Sequence, residues 1–193
     1  MRNNRYKNRS TGEMKNQIKY IAVAFTLLLA SGCEKDVAEP QFPVNQKVLF
    51  QFEYINNAWG YQHAGWLIDS AGSVHCYRKP DNWTFPDSSG FIAGPDMEAN
   101  LSAADSICGA LDKETLVLKM KQLEQVSIKD LTDPVPMGND MGIGAYLGYA
   151  YDRERNSYRQ IVLAKNGDYQ VENTSVAARR LVEWMKSVDR MVD

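Results

Sequence analysis

Few residues in this chain belong to the types that carry nucleophilic or metal chemistry, and their spacing narrows the field further. Hydrolysis by an activated serine or cysteine needs a histidine beside the nucleophile and a carboxylate to orient it. The chain has two histidines, His63 and His75. His75 directly precedes Cys76, but neighbours along a strand project to opposite faces, so the two make no dyad by that route. No serine sits in a G-x-S-x-G elbow. The histidines lack the i+2 or i+4 spacing of metal ligands and the cysteines are widely separated, so neither a metal nor a cofactor is expected. Asp81, Asp87 and Asp96 share one loop without the spacing of a calcium loop. The glycines of Gly142-Ile143-Gly144-Ala145-Tyr146-Leu147-Gly148 open a strand instead of leading into a helix, which suits close backbone packing better than a phosphate cradle. Paired carboxylates for glycoside hydrolysis are defined in the fold, and that route stays open. The expectation is a non-catalytic binding domain, with a small hydrolase as the alternative.

The aromatic residues offer a different chemistry. Trp59 and Tyr61 stand with His63 in the connection after the first strand, and Trp83 and Phe85 stand in a Pro/Asp/Ser-rich loop. Exposed rings with a polar tip stack on sugars or anchor protein partners. The ordinary alternative is that the same rings fold back as a satellite core beneath the loops. Trp59, Tyr61, His63 and Trp83 are the candidate contact residues for a glycan or a protein partner, the latter including an inhibitor-like or structural interaction role. Trp66 and Trp184 are assigned to the core. Asp69-Ser70-Ala71 and Asp105-Ser106-Ile107 resemble the three-residue O-glycosylation signal of some Gram-negative exported proteins, and Ser70 is the more reachable.

The elements that position these residues follow from periodicity. Val48, Phe50, Phe52 and Tyr54 alternate with Leu49, Gln51 and Glu53, the pattern of a strand with one face in the core. Runs over 63–69 and 73–79 flank Asp69-Ser70-Ala71-Gly72 as a hairpin. An irregular loop is expected over 80–96, and short helices after Ser102-Ala103-Ala104-Asp105 and after Asp112. Leu116, Met120 and Leu123 share a face of the second, leaving Lys119, Lys121 and Gln122 to water. A crossing loop over 130–141 leads to strands at 143–151, 158–165 and 168–172, the last two joined by Asn166-Gly167 in a type I′ turn. Ser175 caps a final helix with Ala178, Leu181, Met185, Val188 and Val192 in one stripe. The fold class is α+β: an antiparallel sheet of about six strands, in two three-stranded sets, packed by two or three helices. Three strands, helices, three strands and a helix hint at a duplicated half, though the halves share little sequence.

The N-terminal part carries an export pattern. Lys15 and Lys19 precede the apolar run Ile21–Ala30, which is too short to span a bilayer, and small residues follow it. Leu29-Ala30-Ser31-Gly32-Cys33 resembles the lipobox of bacterial lipoproteins. That resemblance implies cleavage before Cys33 and a diacylglycerol on its sulfur, with Met14 as a better start than Met1. The expected organisation is a signal peptide over 1–32, an anchor and linker over 33–46 containing Pro40 and Pro43, and one domain over 47–193. Glu34-Lys35-Asp36 resembles a surface-export signal of Gram-negative lipoproteins and reads equally as a solvated tether. The expected location is the outer membrane or cell surface, with the membrane reached through the lipid.

Removing residues 1–32 takes six of the 22 basic and one of the 24 acidic residues, leaving 16 against 23, net −7. Nucleic acid and anionic lipid surfaces both demand the opposite sign, so neither is expected as a direct partner. Cys76 and Cys108 read either as a disulfide or as two buried thiols, and an oxidising compartment favours the disulfide.

Overall fold

The computed structural model describes residues 46–104 and 106–192. The signal peptide, Cys33 and nearly all of the linker lie outside the described residues. No helix among the described residues is long and apolar enough to cross a membrane.

Nine strands among the described residues form one antiparallel sheet: β1 (Val48–Asn56), β2 (Gln62–Asp69), β3 (Ser73–Arg78), β4 (Phe91–Ala93), β5 (Ser106–Ala110), β6 (Val135–Pro136), β7 (Ile143–Asp152), β8 (Ser157–Gly167) and β9 (Tyr169–Glu172). Their order is β5-β3-β2-β1-β7-β8-β9-β6, with β4 added beside β8. The α+β class is as expected. The two expected sets are parts of a single sheet, because β1 pairs with β7 from Phe50↔Gly148 to Ile55↔Ile143. That pairing makes β1 a central strand, and side chains packed on both faces of the sheet leave Leu49 and Gln51 as buried as Phe50. A register shift between Val48 and Phe50 also turns both Leu49 and Phe50 into one core.

Among the described residues three helices cover the sheet: α1 (Gly94–Ala103), α2 (Lys113–Leu123) and α3 (Val176–Val192). The first face of the sheet carries Phe50, Trp66, Ile68, Tyr146 and Leu163 against Leu116 and Leu123 of α2 and Leu181, Met185 and Val188 of α3. The second face carries Leu67, Tyr77, Tyr149 and Tyr158 against Met97 and Leu101 of α1. Both caps form as expected: Thr115 N–H donates to Asp112 Oδ1 at 2.7 Å and Ala178 N–H to Ser175 Oγ at 3.1 Å.

Four expectations need correction. Ser102 to Asp105 do not start a helix. Pro95, which lacks an N–H to leave unpaired, starts α1 earlier, and Ser102 Oγ turns back to donate to the Glu98 carbonyl near its end. The next residues form β5, held on β3 by pairing and by the Cys76–Cys108 disulfide, whose Cα atoms are 5.8 Å apart. The loops expected over 80–96 and 130–141 contain β4 and β6, strands too short to show a period. Asn166-Gly167 is no type I′ turn. Gly167 alone of the two has positive φ, at 139°, and Asn166 stays paired with Gly144, so the chain reverses further on. A Cβ on Gly167 would lie 1.8 Å from the Gly142 carbonyl oxygen, which is what the glycine permits. Lys119 is half-buried, with its Nζ 5.4 Å from the Trp184 ring centroid, where its stem covers apolar surface.

Candidate functional site

The second sheet face is only partly roofed, and the site lies where the roof ends. Phe50, Phe52 and Tyr54 point to the helical face, so Gln51, Glu53 and Ile55 must point the other way. His63 on β2 opposes Ile55, and Tyr77 on β3 opposes Gly65. Over His63 and Tyr77 folds the segment after β3. Asn100 of α1 pins it through both backbone groups of one residue, accepting from Thr84 N–H at 2.9 Å and donating to Thr84 O at 2.7 Å. Trp83 is thereby laid on Tyr77, with ring centroids 4.4 Å apart, and edge-on to His63 at 5.1 Å. Phe85 and Tyr61 close the cage at 5.5 Å and 6.0 Å from the imidazole.

The four aromatic candidates therefore part company. Trp59 is 80% exposed and Tyr61 48%, whereas His63 is 1% exposed and Trp83 is half-buried on Tyr77. His63 can touch a ligand only through its neighbour: its Nε2 lies 2.9 Å from Glu53 Oε1. A carboxylate only accepts, so Nε2 carries the hydrogen, and Nδ1 is buried without a partner among the described residues. Gln51 Nε2 donates to the same Glu53 oxygen at 3.2 Å and to Tyr77 Oη at 2.9 Å. Tyr149 donates its hydroxyl to Gln51 Oε1, and Gln160 Nε2 donates to Tyr149 Oη at 3.4 Å. This chain of bonds satisfies polar groups that burial would otherwise make costly, and it fixes the Glu53 side chain.

Burial pushes the hydroxyls of Tyr77 and Tyr149 above the ordinary tyrosine range, and the charge of Glu53 adds to it. Both protons are kept in the folded protein at a pH where the unfolded chain has lost them. The contribution of these two groups is therefore constant below about pH 9.5 and falls above about pH 10, by about 1.4 kcal/mol per pH unit for each of the two. Urea midpoints measured from pH 8 to 11 should show this decline, steeper than in Tyr149→Phe. A flat profile would mean that these hydroxyls titrate freely.

Beyond Glu53 the face opens into a cleft of about 510 Å³ between β1, β7 and β8. Its floor is Ile55, Ile143, Ala145 and Leu147, and Glu53 and Lys165 stand at its two sides. The end of β1 supplies Asn56 to the rim, and the loops after β1, before β7 and after β8 supply Asn57, Asp140 and Asp168. Trp59 follows Ala58, itself a lining residue, in the first of these loops. Asp168 also shapes the rim, accepting from Met141 N–H at 2.7 Å through Oδ1. A second cleft of about 470 Å³ on the helical face includes Arg78 and Asp189. There the carboxylate is spent on structure, since its oxygens accept from Trp66 Nε1 at 2.7 Å and Tyr146 Oη at 2.6 Å.

Sequence reading missed Glu53 and Lys165. Their signal was weak: each is one polar residue in an alternating strand, where a solvated face is the ordinary explanation. His75 bonds Asp69 Oδ2 at 2.9 Å, in the hairpin turn whose Ser70 is half-buried, and Cys76 is held in the disulfide. Among the described residues no three His, Cys, Asp or Glu side chains are placed to hold a metal ion together. Comparison with protein-family models, with curated proteins and with solved structures finds no match to this chain.

Proposed function

We propose that this chain is an exported lipoprotein, held by lipid on Cys33 at the outer membrane or cell surface, whose domain is a non-catalytic module that binds a glycan in the cleft beside Trp59. The observation that carries the reading is the conjunction of that open cleft, its polar rim and an indole 80% exposed in the adjoining loop. A solvent-facing indole costs hydrophobic free energy in the unbound protein and recovers it by stacking. Sugars present an apolar ring face together with hydroxyls that donate to carboxylate and amide oxygens. The lipobox-like segment and the net −7 charge of the part after it support export and argue against a nucleic-acid partner.

A broad glycan panel tests this, probed with the protein and with Trp59→Ala. Trp83 is left intact because it packs on Tyr77. Binding by the parent that falls at least tenfold in Trp59→Ala, with an unchanged melting temperature, is the expected result. Absence of binding by the parent would sink the glycan reading. A protein partner is the second reading, favoured by the exposed Val135, Met137 and Met141 close to the cleft rim.

A further inference from the structure

We infer that the glycan taken by the cleft is zwitterionic, carrying an amine that meets Glu53 and a carboxylate that meets Lys165; this rests on the glycan reading above. Three neighbouring strands place the two residues in one row. Glu53 on β1 opposes Ala145 on β7, and Ala145 opposes Lys165 on β8. Two strand spacings put their backbones about 10 Å apart, with only a methyl group between them on the floor.

Both groups have capacity to spare. Glu53 Oε1 is occupied by His63 and Gln51, which hold the side chain still, while Oε2 has no hydrogen-bond partner among the described residues. Lys165 has neither an ion-pair nor a hydrogen-bond partner among the described residues. A carboxylate fixed in advance loses little freedom when a ligand ammonium binds it, and charge-assisted bonds are the strong ones.

Each simpler ligand leaves one charged side of the cleft unmatched and should bind more weakly. Glu53, Asp140 and Asp168 line the cleft against Lys165 alone. An acidic sugar without an amine would meet three carboxylates, and an amino sugar without an acid would leave Lys165 facing a like charge. A sugar carrying both groups satisfies each side, over a floor of Ile55, Ile143 and Leu147 that accepts its apolar face. His63 acts as a positioning residue: it sets Glu53 and stays out of contact with ligand.

Four monosaccharides separate the parts of the inference when titrated calorimetrically at millimolar concentration into the full chain. They are muramic acid, with amine and carboxylate; glucosamine, with the amine alone; N-acetylmuramic acid, with the carboxylate alone; and N-acetylglucosamine, with neither. Muramic acid should bind tightest. Glu53→Gln should weaken muramic acid and glucosamine about tenfold and leave the two acetylated sugars unchanged, whereas Lys165→Gln should weaken only the two acids, by a similar factor. Should Glu53→Gln fail to fold, the Lys165→Gln pattern alone decides, since Lys165 has no structural partner to lose. Equal binding of N-acetylglucosamine and muramic acid would overturn the zwitterion and leave the glycan reading standing. Binding of none of the four would overturn both for this cleft.

Discussion

Breaking the Cys76–Cys108 bridge is expected to lower the melting temperature by roughly 10 °C. The bridge closes a segment of 32 residues in separation, and a loop of that size is worth about 3.5–4 kcal/mol in the chain-entropy account. In a domain of this length that free energy corresponds to such a shift. The effect should exceed that of an ordinary surface change because β5 is an edge strand, paired only with β3 and otherwise touched by α3. Without the bridge its outer residues, including the exposed Ile107, have little to keep them ordered. Calorimetric melting of the protein with and without a phosphine reductant, beside Cys76→Ala/Cys108→Ala, checks this. Identical melting of all three would show that strand pairing suffices and that the bridge is incidental.

Phe50→Ala is expected to destabilise the domain by about 3–5 kcal/mol, a large part of the roughly 5–15 kcal/mol that holds a typical domain folded. Phe50 is fully buried at the centre of the sheet, with its ring set edge-on to Trp184 of α3 at 5.1 Å. Trp184 in turn carries the Lys119 ammonium of α2 at 5.4 Å. Truncation therefore opens a cavity where the sheet and two helices meet, and none can move in to fill it without abandoning its other contacts. Leu118→Ala, on the exposed side of α2, serves as the control and should change stability by less than about 0.5 kcal/mol. The urea midpoint reports the difference, and Trp184 should also shift its fluorescence in Phe50→Ala before unfolding begins. A loss below about 1 kcal/mol would mean that the core relaxes into the space.

Much of this fold was legible along the chain, for reasons that are local. The strands β1, β7 and β8, the hairpin at Asp69–Gly72, the Asp112 and Ser175 caps and the apolar stripe of α3 all arise from neighbours within a few residues. Alternation and capping act at that range and need no knowledge of the rest of the molecule. Cysteine chemistry likewise pointed to the bridge, although the alternative of two buried thiols could not be removed without knowing that β3 and β5 are adjacent.

Pairings between distant segments were decided only in three dimensions. Phe50 to Ile55 meet Ile143 to Gly148 across some ninety residues of chain, and that contact turns two small sheets into one and makes β1 a central strand. β4 and β6 are strands because β8 and β9 offer them free edges; their own residues show no period. The site followed the same logic. Trp59, a large ring in a short polar loop, could be picked out by type and position, and it is exposed. His63, picked out on the same grounds, is buried because Asn100 fastens the Trp83 segment over it. Glu53 and Lys165 are unremarkable in their own strands and become the two sides of one cleft only through the shared partner Ala145. Residue type and local period thus set what each segment of this protein can be, whereas its charged cleft exists because backbone pairing aligned side chains that the sequence keeps more than a hundred positions apart.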